Sequence, residues 1–250
     1  MARSRFWGVV TGALLALLAM AVGVRAEAPP VAYAGLKYGL VRQGLSKDYV
    51  LQTFADPRNQ FLPDIVRKIA YLRKESPAIY KKFLTPAVVA QGRAYLETHR
   101  AILHQAEARF GVAPEVIVAI LTVESNLGSN TGKYPVFNVF ASLAVMRELA
   151  TFLRYCAIHQ VVPFSLCGSW AGAMGFCQFL PSSLNRCGVA ADGTGPVDLF
   201  THDDAIFSIA CYLHKSGFNL NNRASWRRAV YSYNHSEAYV DTVLTLAQRY

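Results

Sequence analysis

Residues 113–128 read A-P-E-V-I-V-A-I-L-T-V-E-S-N-L-G. Between Val116 and Val123 only Thr122 is not apolar, so the run predicts a helix from Pro114 to about Glu124 that is buried on most sides. A carboxylate at the tip of such a helix needs an explanation. Desolvation and the negative end of the helix dipole both disfavour its charged form, which raises its pKa, as a general acid working near neutral pH requires. The bland reading is a solvated glutamate at a helix terminus. Glu124 is the candidate catalytic acid, and Ser125, Asn126 and Gly128 suit a helix that ends in a polar cleft wall.

Working outward, the rest of the chain also reads as mostly helical. Residues 36–54 and 61–74 carry apolar positions at helical spacing, interrupted by D-P-R-N at 56–59. Thr85 as N-cap, Pro86 at the first helical position and Gly111 as a stop predict one helix between them. Val89, Leu96, Leu103 and Phe110 form its core stripe. Further helices are expected over about 138–160, from the T-H-D-D capping box at 201–204 to Gly217, and over about 225–232 and 236–249. The stretch 168–183, G-S-W-A-G-A-M-G-F-C-Q-F-L-P-S-S, is dominated by small residues, so its backbone can turn tightly and approach a ligand. Residues 190–198 read as a loop or short hairpin.

Composition sets the class. Of 250 residues, 53% are hydrophobic and 16% charged, enough apolar material for one sizeable core. Arg3 and Arg5 precede an apolar stretch that ends at V-R-A (24–26), the pattern of a secretory signal peptide over 1–26, with an uncleaved anchor as the alternative. No cysteine lies near the cleavage site, which disfavours a lipid anchor. Export to the periplasm or cell envelope follows. Loss of Arg3, Arg5 and Arg25 leaves 22 basic and 16 acidic residues and takes the net charge from +9 to +6, suited to an anionic wall polymer or membrane surface. The basic residues are scattered without interleaved aromatics, which argues against nucleic acid.

Cys156, Cys167, Cys177, Cys187 and Cys211 form no C-x-x-C pair, so a zinc or redox centre is disfavoured, while an oxidising compartment makes one or two disulfides plausible. The six histidines show no metal-ligating spacing, and no cofactor is expected.

Taken in order, the helix ending at Glu124, the stretch 168–183, D-A-I-F-S-I-A-C-Y-L (204–213) and Y-N-H-S-E-A-Y (233–239) resemble the lytic murein transglycosylase B family, as does K-K-F-L-T-P-A-V-V-A-Q-G-R-A-Y-L (81–96). The likeness runs from about residue 80 to 245, and A-G-A-M-G-x-x-Q-F-x-P-S-S is its most specific motif. It implies a mainly α architecture: a lysozyme-like (α+β) catalytic core over 85–250, with an additional N-terminal helical segment over 27–84. It implies cleavage of peptidoglycan between N-acetylmuramic acid and N-acetylglucosamine by a single acid/base. By position, Glu124 matches the acid, Ser169 and Gln178 match sugar-binding positions, and Tyr212, Tyr233, Asn234 and Tyr239 match residues lining the cleft. The expected partner is the glycan strand, met by a monomer.

The chemistry suits these residue types. Amides of Gln178 and Asn234 both donate and accept, as acetamido groups require, and tyrosine offers a flat face with a hydroxyl. Departures are also visible. Arg147 and Arg154 are isolated where relatives have an arginine pair, and neither is carried over. Some relatives hold calcium in the loop matching 190–204, but Ala190, Thr194 and Pro196 occupy ligand positions, so Asp192, Asp198 and Asp204 are not expected to form a calcium site. Cys177 beside Gln178 also departs from the usual pattern. Two rival readings are a muramidase that transfers to water and a non-catalytic wall-binding scaffold of the same fold.

Overall fold

The computed structural model describes residues 29–70 and 77–250, so the predicted leader lies outside the described residues. Helices dominate: α1 (Pro29–Arg42), α2 (Lys47–Ala55), α3 (Pro63–Ala70), a 3-10 helix (Pro77–Leu84), α4 (Pro86–Thr98), α5 (Arg100–Phe110), α6 (Pro114–Ser125), α7 (Val136–Ser142), α8 (Met146–His159), α9 (Pro181–Cys187), α10 (His202–Lys215), α11 (Arg223–Tyr233) and α12 (Glu237–Arg249). The strands are minimal: β1 (Tyr134–Pro135) pairs antiparallel with β2 (Cys167–Gly168). The mainly α, lysozyme-like expectation holds. No described helix is long and apolar enough to cross a membrane.

At the centre lies α6. Every residue from Val116 to Ser125 is buried, as its apolar run requires, and α12, α4, α10 and α5 pack around it. Burial of such side chains stabilises by roughly 1.5–3 kcal/mol each, so a helix without a solvent face can lie only in the middle of the molecule. One apolar core extends from Tyr33 to Leu246 and includes the N-terminal helices. These helices are also tied down by polar contacts: Leu62 N–H donates to Ser142 Oγ at 2.9 Å, and Asn138 Nδ2 donates to the Arg58 carbonyl at 3.0 Å.

Local signals act where expected at Thr85, which caps Val88 N–H ahead of Pro86, and at Gly111, left-handed at φ 64°. Thr201 Oγ1 caps Asp204 N–H, but the Asp204 carboxylate does not complete the capping box. It accepts Ala191 N–H at 2.8 Å and Asp198 N–H at 2.7 Å, pinning the 190–198 loop. Asp192 and Asp198 likewise accept nearby backbone N–H groups. Among the described residues, no cluster of three or more His, Cys, Asp or Glu side chains is placed to share a metal ion.

Three expected helices are each two. Residues 36–54 break after Gly44 (φ 88°), where Ser46 caps a new helix. Residues 138–160 break at Ala144 (φ 52°). The third break, at His99, separates α4 from α5. There the imidazole packs at a tilt against Tyr95 (4.2 Å between centroids) and His202 (4.5 Å), and the His202 contact, a tertiary one, outweighs continuation of the helix. The sevenfold stripe is lost with it: Val89, Leu96 and Phe110 are only half-buried, while Gly92, Tyr95, Leu103 and Ala106 face inward.

The disulfide expectation is corrected. All five cysteines are thiols, and four are enclosed in the core, where they pack as small hydrophobes. Burial pushes the Cys156 thiol up to about 12 and raises Cys177 and Cys187 as well.

The His99–His202 pair makes stability pH-dependent. Tyr95 Oη sits 2.9 Å from His202 Nδ1, Phe176 packs on the other side of that ring, and Asp203 is the facing carboxylate. Desolvation lowers both imidazole pKa values, the neighbouring His99 lowers that of His202 further, and Asp203 opposes this in both. The folded protein therefore binds fewer protons than the unfolded chain. This stability is fully present above the unfolded value of about 6.5 and is lost as pH falls below it. Tm measured from pH 7.5 to 5 should fall more steeply in the natural chain than in a His99→Gln/His202→Gln variant. Parallel curves would refute the link.

Candidate active site

The helix α6 ends in an unusual way. Asn126 (φ 52°), Leu127 (φ 57°) and Gly128 (φ 90°) are all left-handed, and Leu127 N–H reaches back to the Leu121 carbonyl at 3.0 Å. This reversal satisfies the last carbonyls of the helix while turning the chain sharply away, so Glu124 stands at the final turn beside other elements. Ser125 makes the junction. Its hydroxyl donates to the Phe176 carbonyl at 2.7 Å and accepts Gly128 N–H at 2.9 Å, joining the helix end to the small-residue loop.

That loop, residues 168–180, is folded on itself. Ser169 N–H donates to the Ala173 carbonyl, and Met174 and Phe179 exchange both backbone hydrogen bonds at 2.8 and 3.0 Å. Phe176 N–H donates to the Leu199 carbonyl at 2.8 Å. Gly175, at φ 69°, lies so close to Leu199 that an added Cβ would stand 2.3 Å from its carbonyl oxygen. Gln178 adopts φ 50°, a conformation uncommon for a residue with a side chain.

Glu124 is 3% exposed, and its Oε1 accepts the Tyr239 hydroxyl at 2.7 Å. Tyr239 is wholly buried on α12, with the Tyr80 ring edge-on at 6.1 Å. Burial holds the hydroxyls of Tyr239 and Tyr233 well above their ordinary pKa, and the Glu124 charge adds to it. Tyr239 is therefore a hydrogen-bond donor at any working pH. Two influences meet at the Glu124 carboxyl: loss of water favours the acid, and the donated hydrogen bond favours the carboxylate. Among the described residues, Glu124 is the one carboxylate acting electrostatically on Tyr233, Tyr239 and Cys177.

Of the other expected residues, Tyr233 and Gln178 are tied to the same loop, and the polar atoms of all of them are used in ways the sequence does not show. Phe179, Tyr212 and Tyr233 form an aromatic cluster with centroids 4.8–5.8 Å apart. The Tyr212 hydroxyl donates to the Ser232 carbonyl at 2.7 Å and that of Tyr233 to the Cys177 carbonyl at 2.6 Å, so both hydroxyls brace the backbone. Asn234 is wholly buried and caps α11. Gln178 donates through Nε2 to the carbonyls of Gly175 (2.8 Å) and Thr131 (3.2 Å), and among the described residues its Oε1 has no protein donor. Ser169 Oγ accepts the N–H groups of Ala171 and Ala173, which locks the turn. Trp170 is 5% exposed beneath Lys68, whose ammonium lies 4.4 Å from the ring centroid.

A family model for the transglycosylase SLT domain matches residues 31–231. The chain belongs to this transglycosylase family. Membrane-bound lytic murein transglycosylase B of Escherichia coli K12 is 37% identical over 147 residues, 55% of this chain but only 41% of that protein's length. Among solved structures, soluble lytic transglycosylase SltB1 of Pseudomonas aeruginosa superposes with a TM-score of 0.79 at 25% identity, covering 88% of this chain and 98% of that one. SltB3 of the same organism, in complex with NAG-anhNAM-pentapeptide, gives 0.77 at 25% identity, covering 86% and 77%.

Ser125, expected only as part of a polar cleft wall, turns out to be the junction between the helix end and the loop. Tyr80 carries no sequence signal, because its contact with Tyr239 joins residues far apart in the chain.

Proposed function

We propose that this protein is an envelope-located lytic transglycosylase that cuts peptidoglycan between N-acetylmuramic acid and N-acetylglucosamine, with Glu124 as its single acid and base. The observation that carries the reading is the enclosed Glu124 carboxyl, among the described residues the one carboxylate acting on Tyr233 and Tyr239, hydrogen-bonded by Tyr239 and joined through Ser125 to the small-residue loop. Most glycosidases that use water pair two carboxylates. The other buried carboxylate among the described residues, Glu148, accepts Ser182 N–H at 2.9 Å instead of facing the tyrosines, so a lone acid at this corner favours an intramolecular acceptor.

In this mechanism Glu124 gives its proton to the glycosidic oxygen as the C1–O bond breaks. The acetamido oxygen of the muramic acid closes on C1 from the opposite face. Glu124, now a carboxylate steadied by Tyr239, takes the proton of the C6 hydroxyl. O6 then displaces the acetamido oxygen, leaving a 1,6-anhydro ring and the acid form of Glu124. No water is consumed. Gln178 Oε1 would accept an acetamido N–H, and Asn234, wholly buried at the end of α11, would shape the corner from beneath rather than touch the sugar. The phenyl faces of Tyr212 and Tyr233 would border the sugar rings, Tyr239 would hold Glu124 from within the core, and Ser169 would hold the loop that meets them. The names of the relatives and the anhydro-sugar complex of SltB3 support this substrate class.

Mass spectrometry of digested sacculi tests the reading. Anhydromuramic ends are expected. Products heavier by one water would assign hydrolysis instead, and intact sacculi would leave a wall-binding scaffold.

A further inference from the structure

A second pocket lies on the reverse side of α12. Tyr239, Val243 and Leu246 turn inward on this helix, whereas Asp241, Leu244, Thr245 and Gln248, spaced i, i+3, i+4, i+7, share its opposite face. With Arg223, Trp226 and Arg227 of α11 they line a cavity of about 540 Å³, in the size range of small-ligand sites.

The polar groups of this pocket are not equally committed. Arg227 is shared by the carboxylates of Glu237 and Asp241, so its charge and theirs are mutually satisfied. Arg223 has no carboxylate partner among the described residues. It is held instead by stacking: its guanidinium lies 3.8 Å from the Trp226 ring centroid, and Phe218 stacks on the same indole at 4.9 Å. Trp226 is itself fixed by donating Nε1–H to the Asn219 carbonyl at 2.9 Å. A guanidinium ordered in this way keeps its fork of donors for an external acceptor and gives up little freedom on binding. Beside it Thr245 and Gln248 make no side-chain hydrogen bond among the described residues, and Leu244 supplies an apolar wall.

We infer that this pocket binds the free carboxylate end of a short peptide with a small apolar terminal side chain. Arg223 takes the carboxylate, Gln248 and Thr245 take the last peptide group, and Leu244 faces the side chain. The inference rests on the peptidoglycan reading for the source of such a peptide, the stem of a neighbouring strand. A strand held there would anchor the enzyme on the face opposite Glu124.

The test uses the full chain carrying Glu124→Gln, so that binding is separated from turnover. It is titrated with an N-acetylated peptide ending in D-alanyl-D-alanine while the Trp226 indole N–H is followed by NMR. Saturable shifts are expected, with affinity reduced at least about tenfold by Arg223→Gln, by Gln248→Ala or by amidating the peptide carboxylate. Each variant is first shown to keep its folded spectrum. The inference is overturned by absence of saturable binding, by equal binding of the amidated peptide, or by Arg223→Gln binding unchanged. Peptide binding alongside uncut sacculi in the parent protein would instead sink the cleavage reading and leave the pocket standing.

Discussion

Glu124→Gln is expected to leave a folded protein that still binds glycan strands but releases muropeptides at least about a thousandfold more slowly. The magnitude follows from removing a general acid and base whose two proton transfers share one group. The amide keeps the shape of the carboxyl, and its carbonyl oxygen can still accept the Tyr239 hydroxyl that now reaches Oε1 at 2.7 Å. It cannot deliver a proton to a leaving sugar oxygen. Turnover is read as soluble product from purified sacculi, and folding as Tm. Unchanged turnover with unchanged Tm would remove Glu124 from the mechanism.

The second large effect is on the loop. Gly175→Ala should destabilise the protein by about 3 kcal/mol, from left-handed strain and overpacking together, and lower Tm by roughly 6–12 °C. The added methyl would meet the Leu199 carbonyl, which accepts Phe176 N–H. Phe176 in turn accepts Ser125 through its own carbonyl, one residue from Glu124, so activity should fall even at temperatures where the variant is folded. Gly193→Ala is the control: its φ of 76° imposes similar strain, but no atom lies within 4 Å of the new Cβ. Gly193→Ala should cost about 1 kcal/mol and leave activity intact. Equal losses in both variants would show that strain alone, not the contact with Leu199, matters.

How far the fold was legible depended on whether a local signal or a distant contact decided each element. The apolar run of α6 leaves no solvent face, and Thr85–Pro86, Gly111 and Gly217 mark ends that local chemistry enforces. The break at Gly44 and Ser46 was readable by the same rules. The break at His99 was not, since the ring contact with His202 depends on a residue far along the chain. Ala144, left-handed without a glycine, carries no sequence mark at all. For the site, the types and order of residues pointed to Glu124 and its tyrosines. The destinations of the hydroxyls could not be read, because Tyr212 and Tyr233 give theirs to carbonyls fixed only by tertiary packing.

The state of the cysteines has a practical consequence. Four thiols are sealed away from reagents, and Cys167 alone is partly open, in the short strand that leads into the small-residue loop. A mild maleimide dye should therefore couple at one position without mutagenesis, giving a fluorescent reporter a few residues from the cleft.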